Sequence, residues 1–480
     1  MPENPQQPSL IWPNKDQHLI HNAAGGYSFS WADKDAEMAQ FTRTDTLGDG
    51  ADNLLVRGES GAVLRSLAGG DLGDKTGQIQ LCYIDPPFNT TKKFEHYSDR
   101  LPMEMWLSFM QRRLQMIRPL LSPTGSIWIH LDESTHHVAR LLLDEVFGAD
   151  KFVGEVYWQR RTDRDNRSSF SRVVDVILVY AAGDPKTFRA SRNLLERTDT
   201  SAYSNPDGDP RGPWMADNIT AQAGHGTPAQ FYTLVTPTGR VCELPTGRCW
   251  IYTKPRFDEL VADNRIWFGA DGISRPSVKR FLSEVQDGLV PKNLWLADEV
   301  GTTTQAKREI KALFPDANPF DTPKPERLLE RVIHIATNPG DMVLDCFAGS
   351  GTTAAVAHKM GRRWITCELM DSTFDTFVLP RLDKVISGKG SGGVSTTRDR
   401  CVSTSPAGCA GTISPQRAHE FQSVLRALVK DNPHLRGDDT IRQLRAATAT
   451  RIEPGTQVWS GGGGAQVYRQ GTCYNSMPRN

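Results

Sequence analysis

Asp85-Pro86-Pro87-Phe88 joins a carboxylate, two rigid imides and a flat ring at the end of the apolar run Ile79-Gln-Leu-Cys-Tyr-Ile-Asp85. Consecutive prolines lock the backbone and remove two N–H donors. The Pro86 carbonyl is then rigid and free to accept, Asp85 adds a second acceptor, and Phe88 offers a surface for stacking. Such a set suits a planar group that carries an NH₂. The competing reading is a rigid edge turn with Asp85 as a helix cap. A second constellation lies late in the chain, Val343-Leu-Asp-Cys-Phe-Ala-Gly-Ser-Gly-Thr-Thr-Ala354. Its core, Gly349-Ser-Gly351-Thr-Thr-Ala354, fits G-x-G-x-x-G/A where a strand passes into a helix. Gly349 permits the tight turn and Gly351 lets a ligand approach the backbone. The next strand ends in Glu368, whose carboxylate can accept from two ribose hydroxyls. The loop lacks the lysine of a phosphate-binding P-loop, which disfavours a nucleotide triphosphatase. A dinucleotide, S-adenosylmethionine or a structural turn all remain open from the loop alone. Asp345 leans toward S-adenosylmethionine, because a carboxylate can bind its ammonium group.

Both motifs need strands behind them and helices beside them. Short apolar runs at 53–57, 79–85, 126–131, 152–158, 173–180, 340–345 and 363–368 read as buried strands. Between them, Trp106, Met110, Leu114, Ile117 and Leu121 recur at helical steps, and 135–147 and 325–335 also read as helices. This alternation predicts an α/β fold, a doubly wound Rossmann-like sheet. Residues 1–50 read as a loose N-terminal extension, 51–183 as the part bearing the Asp-Pro-Pro-Phe turn, and 319–388 as the part bearing the glycine loop. Residues 184–318, rich in Pro, Gly, Trp and Tyr, read as an inserted lobe of mixed structure. Residues 389–480 read as a variable, low-complexity tail.

Composition narrows the class. Lys+Arg and Asp+Glu both number 56 in 480 residues, so the net charge is zero and bulk electrostatic binding of nucleic acid is excluded; a local basic face is not. Mean hydropathy of −0.45 and the lack of any apolar run near about 18 residues exclude a spanning helix. The polar Met1-Pro-Glu-Asn start shows no signal peptide. The eight cysteines show no zinc spacing, and Cys82, Cys346 and Cys367 sit in strand-like runs. Reduced thiols in a cytoplasmic protein, with no metal and no membrane, are the expectation.

The pairing of Asp85-Pro-Pro-Phe-Asn-Thr90 with the glycine loop resembles the amino-methyltransferases of DNA. The motif order resembles their β group. With Thr322-Pro-Lys-Pro-Glu326 and Arg265-Ile-Trp-Phe-Gly-Ala-Asp-Gly272, the stretch from about 50 to 388 is similar to the modification subunits of type III restriction systems. The resemblance implies transfer of a methyl group from S-adenosylmethionine to the N6 amine of adenine in duplex DNA, after base flipping. Cytosine N4 is the alternative target; cytosine enzymes more often carry Ser where Asp85 stands, which favours adenine. The resemblance gives Asp85, Pro86, Pro87 and Phe88 to the target base. It gives Phe347, Gly349, Gly351 and Glu368 to the cofactor, with Lys324 and Pro325 near its methionine part. Gly58-Glu-Ser60 falls at the family's Gly-Asp-x position, and the Glu for Asp departs from it. Implied partners are double-stranded DNA, a helicase–nuclease restriction subunit on another chain, and a second copy of the protein. A catalytically degenerate DNA-recognition subunit, or a nicotinamide-dependent dehydrogenase, are the competing readings. The dehydrogenase leaves the Asp-Pro-Pro-Phe turn idle.

Arg160, Arg161, Arg164, Arg167 and Arg172 form a basic stretch that reads as phosphate contacts beside the catalytic face. In the lobe, Arg211, Trp214, Lys254, Arg256, Arg275, Lys279 and Arg280 mix cations with aromatics and read as target recognition. His130-Leu-Asp-Glu133 reads as a strand end near the site rim, and His136 and His137 as exposed helix residues. Family members often close on Gly-Gly-Phe. Here Gly392-Gly393 is followed by Val394-Ser-Thr-Thr-Arg-Asp-Arg400, which suitable codons one nucleotide out of register turn into Gly-Gly-Phe-Asp-Tyr-Ala-Arg. The tail from 394 is therefore expected to be frameshifted or variable, and poorly packed.

Overall fold

The computed structural model describes residues 10–21, 27–31, 39–50, 52–88, 101–402 and 438–471, apart from 168, 198, 199, 287, 319 and 391, with scattered positions from 418 to 435. Asn89 and Thr90 of the extended motif, and the tail at 403–417, lie outside the described residues. The first unit comprises 1–193 and 292–480, and the second 194–291.

The first unit is built on a ten-stranded sheet. Its strands are β1 (Phe41–Gly48), β2 (Leu54–Arg57), β3 (Ile79–Ile84), β4 (Leu121–Leu131), β5 (Phe152–Gln159), β6 (Val174–Ala181), β7 (Leu294–Trp295), β8 (Met342–Asp345), β9 (Arg363–Glu368) and β10 (Gly464–Gln470). Their order is β7-β5-β6-β4-β3-β8-β9-β2-β10-β1. The run from β4 to β10 is parallel throughout. Strands buried on both faces need continuous apolar sequence, and Leu81–Ile84 and the whole of β8 are buried. Helices α1 (Ser60–Ser66), α2 (Met103–Ile117) and α3 (His136–Phe147) share one apolar core with β3, β4 and β8. Helices α4 (Glu326–Ala336), α5 (Thr352–Lys359) and α6 (Leu379–Ile386) pack in succession, α4 on α5 and α5 on α6. This is the expected α/β, Rossmann-like class.

Topology sets the position of the site. Parallel strands share a direction, so the C-terminal ends of β2, β3, β4, β8, β9 and β10 lie along one sheet edge. Strand β6 runs antiparallel to β4, and β5 antiparallel to β6. The connection between β5 and β6, residues 160–173, therefore emerges at the same edge.

Four expectations are corrected. The helical face of α2 buries Trp106, Met110, Leu114 and Ile117, but the helix passes into a 3₁₀ turn at Arg118–Leu120 and Leu121 starts β4. Pro119 cannot continue the α-helical hydrogen bonding, which explains the early end. The N-terminal stretch is not loose throughout, because β1 forms the sheet's outer strand. The inserted unit is 194–291, shorter than 184–318, because β7 joins the main sheet beside β5. Finally, the tail is not outside the fold. Strand β10 lies between β2 and β1, parallel to the first and antiparallel to the second. Its Ala465 and Val467 are buried, and Asn53 Nδ2 donates to the Gly464 carbonyl (2.8 Å).

The second unit has a core of its own, formed by Ile219, Leu234, Cys242, Trp250, Phe257, Leu260, Ile266, Phe268 and Val278. Three antiparallel strands support it, Ile266–Trp267, Ser277–Phe281 and Trp214–Asn218, in that order.

Candidate active site

A cavity of ≈ 450 Å³ opens at the C-terminal edge of the main sheet. It is lined by Gly58, Glu59 and Ser60 after β2, by Tyr83 and Asp85–Phe88 at β3, by 345–350 after β8, and by Glu368–Met370 after β9. Phe109, Phe320, Thr322, Pro323 and Lys324 also line it, with Thr352 and Thr353 at the start of α5. The two motifs that the sequence separates by more than half its length thus face one space, because β3 and β8 are neighbours.

The glycine loop is shaped by backbone. Gly349 and Gly351 both have positive φ, 52° and 73°, which only glycine adopts freely. Gly349 N–H donates to Glu368 Oε2 and Met370 N–H to Glu368 Oε1, both at 3.0 Å, so Glu368 ties the loop to β9. Burial raises the Glu368 carboxyl above the ordinary range, and these N–H groups offset part of that. Asp345 is buried at the end of β8, and burial pushes it up to about 7 against the stabilising bonds from the Thr353 hydroxyl and the Phe347 N–H. Gly351 is not in the cavity wall; it starts α5, and a Cβ there would meet Val378 at 3.4 Å. Pro325 is likewise outside the wall and caps α4.

A buried cluster braces the same loop from behind. Glu326 accepts from Lys359 (2.8 Å), Arg381 (2.9 Å) and the Val394 N–H (2.9 Å). Burial opposes its charge, but the two cations hold its carboxyl down at about 2. Arg381 also donates to the Ser350 carbonyl (3.1 Å). The residues after Gly392-Gly393 therefore pack on the loop's support, contrary to the expectation of a loose tail.

At the other wall, the Trp106 indole donates to the Pro87 carbonyl (2.7 Å) and fixes the turn. Among the described residues nothing donates to the Pro86 carbonyl. Lys324 Nζ donates to Asp85 Oδ2, so its ammonium sits on the turn's carboxylate as well as in the cavity wall. Asp85 Oδ1 is buried and has no hydrogen-bond partner among the described residues. Phe88 stacks on the His130 ring, with centroids 6.0 Å apart and planes 17° apart. His130 is fully buried; Nδ1 meets the Tyr83 hydroxyl (2.8 Å) and Nε2 meets Asp175 (3.2 Å). Burial lowers its pKa. The ring is then neutral, donating to Asp175 and accepting from Tyr83.

Glu59 replaces the expected Asp and caps α1 through the Ala62 N–H (3.0 Å). Although buried, it is held at about 2 by the Arg113 guanidinium and backbone donors. Its own N–H donates to Gln470 of β10 (2.7 Å).

The expected DNA contacts divide. Arg164 is exposed on the 160–173 connection. Arg161 is partly exposed, with Nε on the Arg172 carbonyl (2.8 Å). Arg160 is turned inward, with Nε 2.9 Å from the buried carboxylate of Asp175. It anchors the connection to the His130 network and is corrected as a phosphate contact. Arg167 is paired with Asp165 (3.1 Å), and Arg172 with Glu133. In the second unit Arg275 is exposed and donates to the Glu243 carbonyl (2.9 Å). Lys279 is corrected: its side chain is 0% exposed, inside a cluster with Asp207 and Asp209. Trp214 is also buried, and Arg211, Lys254, Arg256 and Arg280 are each ion-paired.

A family model described as DNA methylase, N6_N4_Mtase, matches residues 79–378. The chain belongs to this DNA methylase family. Among curated relatives, it is similar to the Mod subunit of the type III restriction-modification enzyme StyLTI of Salmonella typhimurium, 31% identical over 432 residues, 83% of this chain and 61% of the relative. It is similar to the probable HindVI Mod subunit of Haemophilus influenzae, 26% identical over 403 residues, 72% of this chain and 52% of the relative. It is also similar to the type II methyltransferase M.EcaI of Enterobacter cloacae, 28% identical over 297 residues, 60% of this chain and 61% of the relative. The chain thus spans between about half and three fifths of the length of these relatives. The site residues that sequence reasoning missed are Arg113, Asp175 and Gln470. Arg113 is a charge on the helical face of α2 that otherwise buries apolar side chains, and Asp175 is an acid within an apolar strand. Both were visible as misfits, whereas Gln470 left no signal.

Proposed function

We propose that the protein is a site-specific DNA methyltransferase that takes its methyl group from S-adenosylmethionine and delivers it to the N6 amine of adenine in duplex DNA. One observation carries the reading: the Asp85 turn and the glycine loop end adjacent parallel strands and share one cavity. The charge of that cavity favours this cofactor over a dinucleotide. Glu59 and Asp85 each have a cation, whereas Asp345 and Glu368 have no ion pair among the described residues. A ligand with an ammonium, a sulfonium and ribose hydroxyls suits two such carboxylates; a pyrophosphate is repelled by them. Asp345 would hold the ammonium, Glu368 the ribose, and Phe347 and Gly349 the remaining wall.

When bound, the cofactor supplies an electrophilic methyl group. The chain's own part is to present the amine. Adenine's exocyclic nitrogen is a poor nucleophile because its lone pair is delocalised into the ring. Asp85 Oδ1 and the Pro86 carbonyl accept its two N–H bonds, favour a tetrahedral nitrogen and leave the lone pair clear of both acceptors. Positioning and electrostatic stabilisation of the growing positive charge supply most of the gain. Asp85 acts as an acceptor and the amine proton leaves after transfer. A paired base cannot reach the turn, so it is flipped out, and stacking on Phe88 offsets part of that cost. Exposed arginines of the 160–173 connection meet phosphates at the same edge. The similarity to Mod subunits supports a place as the modification component of a restriction-modification system, with cleavage on a separate helicase–nuclease chain.

The test is incubation with duplex DNA and methyl-labelled S-adenosylmethionine, followed by nucleoside analysis. Label in N6-methyldeoxyadenosine is expected. Label in N4-methyldeoxycytidine moves the reading to cytosine. DNA binding with no label makes the chain a recognition subunit and overturns the proposal.

A further inference from the structure

The resemblance assigns Lys324 to the cofactor's methionine part, yet its ammonium sits on the carboxylate of the Asp-Pro-Pro-Phe turn. We infer that Lys324 is a positioning residue for the target amine: by holding Asp85 Oδ2, it aims Asp85 Oδ1 at the incoming N–H. The inference rests on the methyltransferase reading above and adds a division of labour between the two oxygens.

Two independent observations carry it. Lys324 Nζ donates to Oδ2, with side-chain exposures of 8% for Lys324 and 24% for Asp85. Among the described residues, Oδ1 of the same carboxylate is buried and has no donor, although Asp85 lines the cavity. A buried acceptor without a partner costs stability, and a donor brought by a bound base would satisfy it. A carboxylate rotates about its Cβ–Cγ bond, and a free Asp85 could turn either oxygen, or the space between them, toward the base. The ion pair removes that freedom. It also occupies the one oxygen that could otherwise take the amine's second N–H, leaving that bond to the Pro86 carbonyl. Lys324 is itself confined: its ammonium lies 5.1 Å from the Phe88 ring centroid, and the turn it serves is held by Trp106. The lysine therefore links three parts of the base site, the carboxylate, the stacking ring and the cavity wall. Pro323 and Pro325 on either side restrict its backbone, which limits the positions its side chain can reach.

The two roles for Lys324 predict different kinetics. The wild-type protein is first assayed for labelled methyl transfer to duplex DNA; an inactive wild type overturns the parent reading and the inference with it. With an active wild type, Lys324→Met and Lys324→Arg are compared for cofactor affinity by calorimetry, melting temperature and single-turnover transfer at saturating cofactor and DNA. The expectation for Lys324→Met is cofactor affinity within about threefold of wild type and a transfer rate lower by ~10²-fold, the scale of losing one preorganised contact. Lys324→Arg keeps the charge and recovers part of the rate. Asp85→Asn supplies the second arm, because its amide needs no cation: adding Lys324→Met to it lowers the residual rate by much less than in the wild-type background. This arm, and Lys324→Arg, remain informative if Lys324→Met alone fails to fold. The inference is overturned if Lys324→Met weakens cofactor binding tenfold or more while the saturated rate is unchanged, or if the two substitutions act independently.

Discussion

Asp345 bears an electrostatic cost that a bound cation would relieve. Burial holds its carboxyl at about 7, and the neighbouring carboxylates Asp85 and Glu368 add repulsion. The folded value lies above the unfolded one, so the group favours the folded chain below about pH 4, and that contribution is lost as pH rises through about 7. Asp345→Asn should therefore raise the melting temperature at pH 8 more than at pH 5, as read by calorimetry. The same substitution should weaken S-adenosylmethionine binding at pH 8. In the unsubstituted protein, a cationic ligand prefers the ionised acid, so affinity should fall by up to about tenfold per pH unit below about 7, and Asp345→Asn should flatten that slope. Asp85→Ala is expected to retain cofactor affinity and lose at least ~10²-fold in methyl transfer, since both arms of the amine clamp are needed at once. A normal rate in that variant removes the proposed mechanism. Lys279 shows the opposite case. A target-recognition lysine would lose DNA affinity on substitution and keep its fold. With its ammonium among Asp207 and Asp209, Lys279→Ala should instead destabilise the second unit by about 1–3 kcal/mol, because the buried Asp209 keeps only Arg211 and Asp207 loses its ion pair. Denaturant unfolding of the full chain distinguishes these outcomes.

The 160–173 connection joins the sheet edge to charge. Arg160 is tied to Asp175, which is tied to His130, on which Phe88 stacks. The inner end of the connection is therefore fixed to the base site, while Arg164 faces solvent. Replacing Arg161 and Arg164 by Ala should weaken duplex binding uniformly across sequences and reduce the slope of log affinity against log salt by about 1 per lost phosphate contact. Titrations at several salt concentrations check this, and an unchanged slope assigns both residues to the protein alone. At this scale the sequence was readable where structure is local. The run before Asp85, the glycine turn and the face of α2 all announced their elements, because a buried strand, a positive-φ turn and a helical stripe each leave their pattern within about a dozen residues. Partners of charged side chains were not readable. Lys279 and Arg160 looked like free cations, since Asp207, Asp209 and Asp175 reach them only through tertiary packing.

Across the whole molecule, the least readable feature was β10. Its compositional setting, Gly- and Thr-rich, points to a linker, and its pairing with β2 spans more than four hundred positions. No local signal specifies a register that distant. Deletion from residue 464 onward removes the last strand but one and opens the edges of β2 and β1, so it should abolish soluble expression or lower the melting temperature sharply. A truncated chain that melts and binds cofactor like the full one would return the tail to a dispensable extension. The same strand bears on synthesis. Translation delivers the Asp85 turn first and the glycine loop next, both well ahead of Gln470. A nascent chain that already displays both motifs still holds β2 with a bare edge and Glu59 without its Gln470 acceptor. The pocket's Glu59 corner is therefore assembled only once residue 470 has left the ribosome, in a late closing step rather than by degrees along the chain.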